Sequence, residues 1–304
     1  MAKKKSGIST WNDWIAFALL SLIWGTSFIL IKKSLIAFDS TQVASLRIFI
    51  ATITFLPIFI YYRKKIDYSR WYLYLLVGLA GGGIPAYLFA LAQTKVSSSL
   101  AGALNTLTPI FTLIMGVIIF KNKVAKRKIA GMILGLSGAA IIFYLNNEAF
   151  EGGGIYSLLI LIAAVFYALN VNMVKKFFNN HDPVALTAAS FVFFGLFTII
   201  PILKSDFLHV MNTNPYAWKS LGAVTVLSIF STVLATVLFF KLVQKSNAVF
   251  ASSVSFAIPL VALMWGILDG EKFETLHFLS LVLILTGVYL SRFDGNTSEN
   301  KIKK

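Results

Sequence analysis

Few residues in this chain of 304 have the means to do chemistry. It contains no cysteine, which excludes disulfides, thiolate metal sites and cysteine nucleophiles. The three histidines, His181, His209 and His277, lie far apart and match no metal-ligand spacing. Ser137 sits in Gly-Leu-Ser-Gly rather than G-x-S-x-G, and no histidine stands at a depth to activate it. There is no P-loop. No catalytic, metal or cofactor residue is therefore expected, and an enzyme is the least supported class. What remains is recognition chemistry. Arg47 is a lone cation within an apolar stretch and can grip a carboxylate or phosphate with its fork. Its alternative is structural, a side chain that snorkels outward or caps carbonyls. Asn105, Asn170 and Asn172 are amides in apolar surroundings and need partners, from a ligand or from neighbouring helices. Trp24 and Tyr87 offer apolar walls with a polar edge.

The elements around these residues follow from composition. Hydrophobic residues make up 58% of the chain and charged ones 13%, about half the share in a soluble domain. Mean hydropathy is +0.80. A soluble enzyme, a disordered chain and a fibrous repeat are excluded. Stretches without Asp, Glu, Lys or Arg run over 14–31, 48–62 (extendable to Thr41 through Arg47), 71–94, 96–120, 129–147, 152–174, 183–203, 220–240, 246–268 and 275–291. A bilayer helix needs about 20 apolar residues. These are ten candidate transmembrane helices in an all-α integral membrane protein. No alternating pattern of barrel strands is present. No small-residue cleavage pattern follows the first run, so it reads as an uncleaved helix.

The net charge of +15 is one of topology, not of nucleic-acid binding. With the N-terminus in the cytoplasm, twenty of the 27 Lys and Arg fall in cytoplasmic segments and six outside. The cytoplasmic set includes Arg63, Lys64, Lys65 and Arg70, then Lys121 to Lys128, then Lys175 and Lys176. Both termini are expected in the cytoplasm. Trp11, Trp14, Trp71 and Trp218 fall near span ends, where interface anchors belong.

The chain also resembles itself. Lys95, Ala101, Pro109 and Gly116 have the same spacing as Lys245, Ala251, Pro259 and Gly266, 150 residues later. Trp24 with Lys32-Lys33 matches Tyr167 with Lys175-Lys176 at an offset of 143. The expected units are 1–147 and 148–292, five helices each, with a disordered cytoplasmic tail over 293–304. An odd helix number turns the second unit upside down. Charge agrees: 121–128 carries five Lys/Arg and no acid, whereas 269–274 carries Asp269, Glu271 and Glu274 against Lys272. Inverted five-helix repeats are a recurring build for secondary transporters.

Several segments resemble the drug/metabolite transporter superfamily, EamA type. They are Trp24–Lys33 (WGTSFILIKK), Arg47 in RIFIA, Ser98–Phe120, and Gly131–Phe143 (GMILGLSGAAIIF). The second half repeats them in ASSVSFAIPLVALMWGILDGEKF and LILTGVYL. One departure is visible: Gly270-Glu271 has only Lys121-Asn122 as its first-half counterpart. The resemblance implies a ten-helix secondary transporter of the inner membrane, multi-pass, exporting or exchanging small polar, amino-acid-like metabolites by alternating access. A channel or lipid scramblase is the alternative. Its partners would be a small-molecule substrate and the lipid bilayer, as a monomer or homodimer.

A carrier of this build needs helices that bend at mid-membrane. Pro109 and Pro259 stand at matching places as candidate bends. Gly81-Gly82-Gly83 followed by Pro85 is the strongest breaker cluster, an unwound segment beside the ligand or a close packing face. Gly131-x-x-x-Gly135 reads as a packing face. All twelve acids sit in loops or at helix ends, so proton coupling through an intramembrane carboxylate is not expected.

Overall fold

The computed structural model describes residues 11–96, 98–121, 125–145, 154–268 and 275–291. The described residues are helical with short connections and contain no strand. Among the described residues, six segments are long and apolar enough to cross a membrane: 13–34, 40–65, 68–92, 155–177, 183–204 and 217–245. The expected tail, the acidic segment 269–274 and Asn122 lie outside the described residues, as does the side chain of His277.

The chain opens with α1 (Trp11–Ser34) and α2 (Ser40–Tyr62). Asp39 starts α2 through a capping box: its carboxylate accepts from Gln42 N at 2.8 Å, and Gln42 Oε1 accepts from Asp39 N at 3.0 Å. Next come α3 (Trp71–Gly78) and α4 (Ile84–Ala92), joined without interruption through Leu79–Gly83, which winds as a π-helix. The glycine cluster thus widens the helix rather than unwinding it, and Pro85 occupies the first turn of α4, where its missing N–H is tolerated. The fourth stretch is broken between α5 (Ser98–Asn105) and α6 (Thr108–Ile118), and Pro109 starts α6. Helix α7 (Lys126–Leu145) follows.

The later part runs through α8 (Gly154–Phe177), α9 (Pro183–Gly195) and α10 (Ile199–Lys204). Asp182 caps α9, accepting from Val184 N and Ala185 N, with Pro183 at the first position. The stretch 204–216, between the apolar runs 183–203 and 220–240, holds a short helix, α11 (Phe207–Thr213). Then α12 (Ala217–Val226) and α13 (Ala235–Lys245) flank a second π-helix, Leu227–Leu234. Finally come α14 (Ala248–Ser252), α15 (Val254–Leu268) and α16 (Thr275–Ser291). The break here falls at Ser253, and Pro259 lies inside the continuous helix α15.

Packing relations recur with the halves exchanged. Helix α1 lies against α15, α12 and α13, while α8 lies against α6 and α4. Helix α2 packs on α9, and α7 on α16. Apolar surface is no driving force between helices in lipid, so small residues and polar fasteners hold these contacts. A methyl at Gly287 would stand 2.4 Å from Gly135 N and 2.5 Å from Gly131 O. That backbone approach makes Gly131-x-x-x-Gly135 the packing face of α7 on α16.

Candidate functional site

Between the helices lies a cavity. It is lined from α1, α2, α4, α5, α6, α8, α13, α14, α15 and the two π segments, with no contribution from α7, α9 or α16. The bent and broken helices therefore meet at one place. A π turn or a break leaves backbone groups without their helical partners, and a cavity wall is where such groups can be used.

Arg47 projects from α2 into this cavity. Its Nε donates to Thr232 Oγ1 at 2.8 Å, on the second π segment. The side chain thus crosses to another helix instead of snorkelling outward. No carboxylate pairs with it among the described residues. Trp24 Nε1 donates to the carbonyl of Ser231, one residue earlier, at 3.0 Å. The Trp24 ring meets Phe239 edge-on at 5.0 Å.

The opposite wall is built on the first π segment. Asn170 Nδ2 donates to Val77 O at 2.8 Å, a carbonyl whose α-helical partner would be the N–H of Gly81. A Cβ at Gly81 would lie 2.4 Å from that same Nδ2. Glycine at 81 is thus the space in which Asn170 sits. Gly82 also lines the cavity, while Gly83 packs toward Phe194. Asn105, at the end of α5, accepts from Thr108 Oγ1 at 3.2 Å across the break.

Of the residues singled out in the sequence, Trp24, Arg47, Gly81, Gly82, Asn105 and Asn170 are brought together. Tyr87, Gly83, Pro85, Pro109 and Pro259 are not in the wall. Tyr87 instead shares a 2.8 Å hydrogen bond with Ser45 on α2. Asn172 fastens α8 to α6, donating to Thr112 O and Ala168 O, both at 2.9 Å. Sequence reasoning missed Tyr167 as a site residue, although it matches Trp24 at the 143-residue offset and lines the cavity with it. It also missed the hydroxyls of Ser27, Thr232, Ser252 and Ser255. Single Ser and Thr in apolar helices give no signal of their own.

These hydroxyls decide what the cavity offers. Ser27 donates to Trp24 O, Ser252 to Val249 O, Ser231 to Ile23 O and Thr108 to Asn105. Each proton is already committed, so the oxygens are left as acceptors. The wall therefore sets the Arg47 guanidinium among hydroxyl oxygens and aromatic faces, with the amides of Asn105 and Asn170 and the Tyr167 hydroxyl as further polar groups and no acid among the described lining residues. Among the described residues no group of His, Cys, Asp or Glu is placed to hold a metal.

A multi-helix membrane fold around a mainly apolar cavity with a few polar groups defines a class of proteins that handle small solutes within the bilayer. This chain belongs to the EamA-like transporter family, which it matches over residues 13–144 and again over 154–293. It is 27% identical to an uncharacterized transporter of Archaeoglobus fulgidus, over 92% of this chain and 98% of that one. It is 25% identical to a probable amino-acid metabolite efflux pump of Salmonella typhimurium, over 93% and 95% of the two chains. A solved crystal structure shares the fold with a TM-score of 0.70 at 15% identity, covering 97% of this chain and 100% of the other. The chain is thus a multi-pass membrane transporter of this family.

Proposed function

We propose that this transporter exports or exchanges small amino-acid-like metabolites across the inner membrane by alternating access. All ten helical stretches cross the bilayer in this reading, with both termini in the cytoplasm. Residues 1–147 and 148–292 are two inverted repeats that rock about the cavity. The pattern of packing with the halves exchanged supports the repeats.

The observation that carries the substrate class is the wall chemistry. Arg47 stands in apolar surroundings without a counter-ion among the described residues, and its fork suits a substrate carboxylate. Oxygen acceptors and the faces of Trp24, Tyr167 and Phe239 surround it and suit an ammonium and an apolar side chain. Relatives named as amino-acid metabolite efflux pumps support the same class. The described lining residues include no carboxylate to carry a proton, which supports flux that follows the substrate gradient or exchanges one substrate for another.

Purified protein in liposomes loaded with a mixture of amino acids and related acids tests this. One class should leave with saturable kinetics, accelerate when the same class is present outside, and fail to leave with Arg47→Gln. Flux that neither saturates nor responds to external substrate would point to a channel. Efflux accompanied by matching proton movement would overturn gradient-driven transport.

A further inference from the structure

The two halves end their first helices with a lysine pair, Lys32-Lys33 on α1 and Lys175-Lys176 on α8. They also close the third helical segment alike: Leu91-Ala92-Gln93 precedes Lys95, and Leu242-Val243-Gln244 precedes Lys245. The structure uses these matching pieces differently.

Lys175 Nζ donates to three carbonyls at the end of α13: Val243 at 3.1 Å, Gln244 at 3.0 Å and Ser246 at 2.5 Å. An ammonium has three N–H donors, and a helix C-terminus attracts a cation. Beside it, Gln244 Nε2 donates to Phe178 O at 2.8 Å and His181 O at 3.0 Å, just beyond the end of α8. Lys65 pairs with Asp182 at 3.8 Å on the same side. This end of the molecule is therefore tied from α8 to α13.

At the matching place in the first half, Lys32 is exposed and makes no hydrogen bond or ion pair with the described residues. Gln93 Nε2 reaches the carbonyl of Phe28 at 3.1 Å. At the 143-residue offset Phe28 corresponds to Val171, seven residues before Phe178. Seven residues of helix are about two turns, or about 10 Å of rise. The same glutamine thus grips the first helix of its own half at two registers two turns apart.

We propose that Lys175 and Lys32 are alternating latches. Lys175 holds the cytoplasmic end shut in the conformation seen here. When that end opens, Lys32 takes the corresponding place on the carbonyls of Ala92, Gln93 and Lys95 and shuts the outer end. This rests on the alternating-access reading above. A conformation is favoured only by contacts it makes and the other lacks, and the latches supply such contacts to each state in turn. Because both latches are a lysine on a helix end, neither state becomes a trap.

The absence of native cysteine makes introduced thiols the only labelling sites. Spin labels at Ile36→Cys/Lys95→Cys report the outer end, and at Asn180→Cys/Lys245→Cys the inner end; all four positions are exposed. Distances are read by pulsed resonance on the full chain in lipid. Lys175→Met should raise the long-distance population of the inner pair about tenfold or more and shorten the outer pair. Adding Lys32→Met should abolish that outer shortening. Gln244→Ala should loosen the inner pair in the same direction if Lys175→Met fails to assemble. The latch is overturned if neither inner variant moves the inner pair, or if the outer end still closes with Lys32→Met. The parent reading fails separately, when the two pairs of the native chain never move in opposite senses as substrate is added. The inner pair then still judges Lys175 by itself.

Discussion

The third helical segment of each half widens into a π-helix at the cavity, yet the two are made of different material. Leu79–Gly83 contains three glycines and contributes space: Asn170 of α8 fills it and bonds to Val77 O. Leu227–Leu234 contains Ser228, Ser231 and Thr232 and contributes polar atoms, to Trp24 and Arg47. One bend receives a side chain from the other half and the other reaches out to two. The fourth segments differ in a similar way. Proline starts the helix after the break in α5–α6, whereas in α14–α15 the break precedes Pro259 by about a turn and a half. A repeated backbone shape thus carries an unsymmetrical site, with its charge on one wall and its amide on the other.

The largest break in this comparison should come from the charged wall. Arg47→Gln should cut transport of a carboxylate substrate about a hundredfold, and Arg47→Lys less, because a lysine offers a point charge in place of a fork. Transport rates in liposomes at matched protein content check this. Filling the space on the other wall comes next. Gly81→Val should destabilise the fold by about 1–3 kcal/mol through overpacking against Asn170, visible as a lower melting temperature in detergent. Gly81→Val with Asn170→Ala should recover part of that loss, and no recovery would mean the two residues are independent.

A smaller effect is expected at Thr232. Thr232→Val removes the acceptor for Arg47 Nε and should weaken transport about tenfold, while Ser228→Ala on the same π segment should change it little. The smallest effect concerns the connection between the second and third segments. In the first half it is short, and Asp67 there accepts from the Ser69 hydroxyl at 2.6 Å. That bond holds the Asp67 carboxyl below its ordinary value, with Arg70 beside it also lowering it. A lowered folded value stabilises above the ordinary carboxylate pKa and is lost as pH falls through the folded value. Ser69→Ala should therefore lower stability slightly at neutral pH, and the difference should vanish in strong acid. Thermal melts across pH check it. The longer counterpart, with α11, should show no such dependence when Thr213→Ala is made.

Much of this was legible in the residues. Apolar runs of spanning length mark where helices form, because the backbone in lipid has to satisfy itself. The 143- and 150-residue offsets relate Trp24 to Tyr167 and Pro109 to Pro259, and Trp24, Arg47, Asn105 and Asn170 stand out because polar groups are costly in apolar runs. Those are local properties of composition and spacing. Whether Arg47 turns outward or inward was not local. Thr232, 185 residues away, decides it. Tyr87 looks as suitable as Trp24, but it bonds to Ser45, and Asn172, nearer a helix end, fastens two helices. Gly81-Gly82-Gly83 reads either as an unwound segment or as a close packing face, and the chain continues through it as a widened helix whose Gly81 receives Asn170. Sequence determined which elements exist and which residues are expensive to bury. Only the tertiary structure decided which of those residues face one another, because that depends on helix rotation and on partners supplied by the other half of the chain.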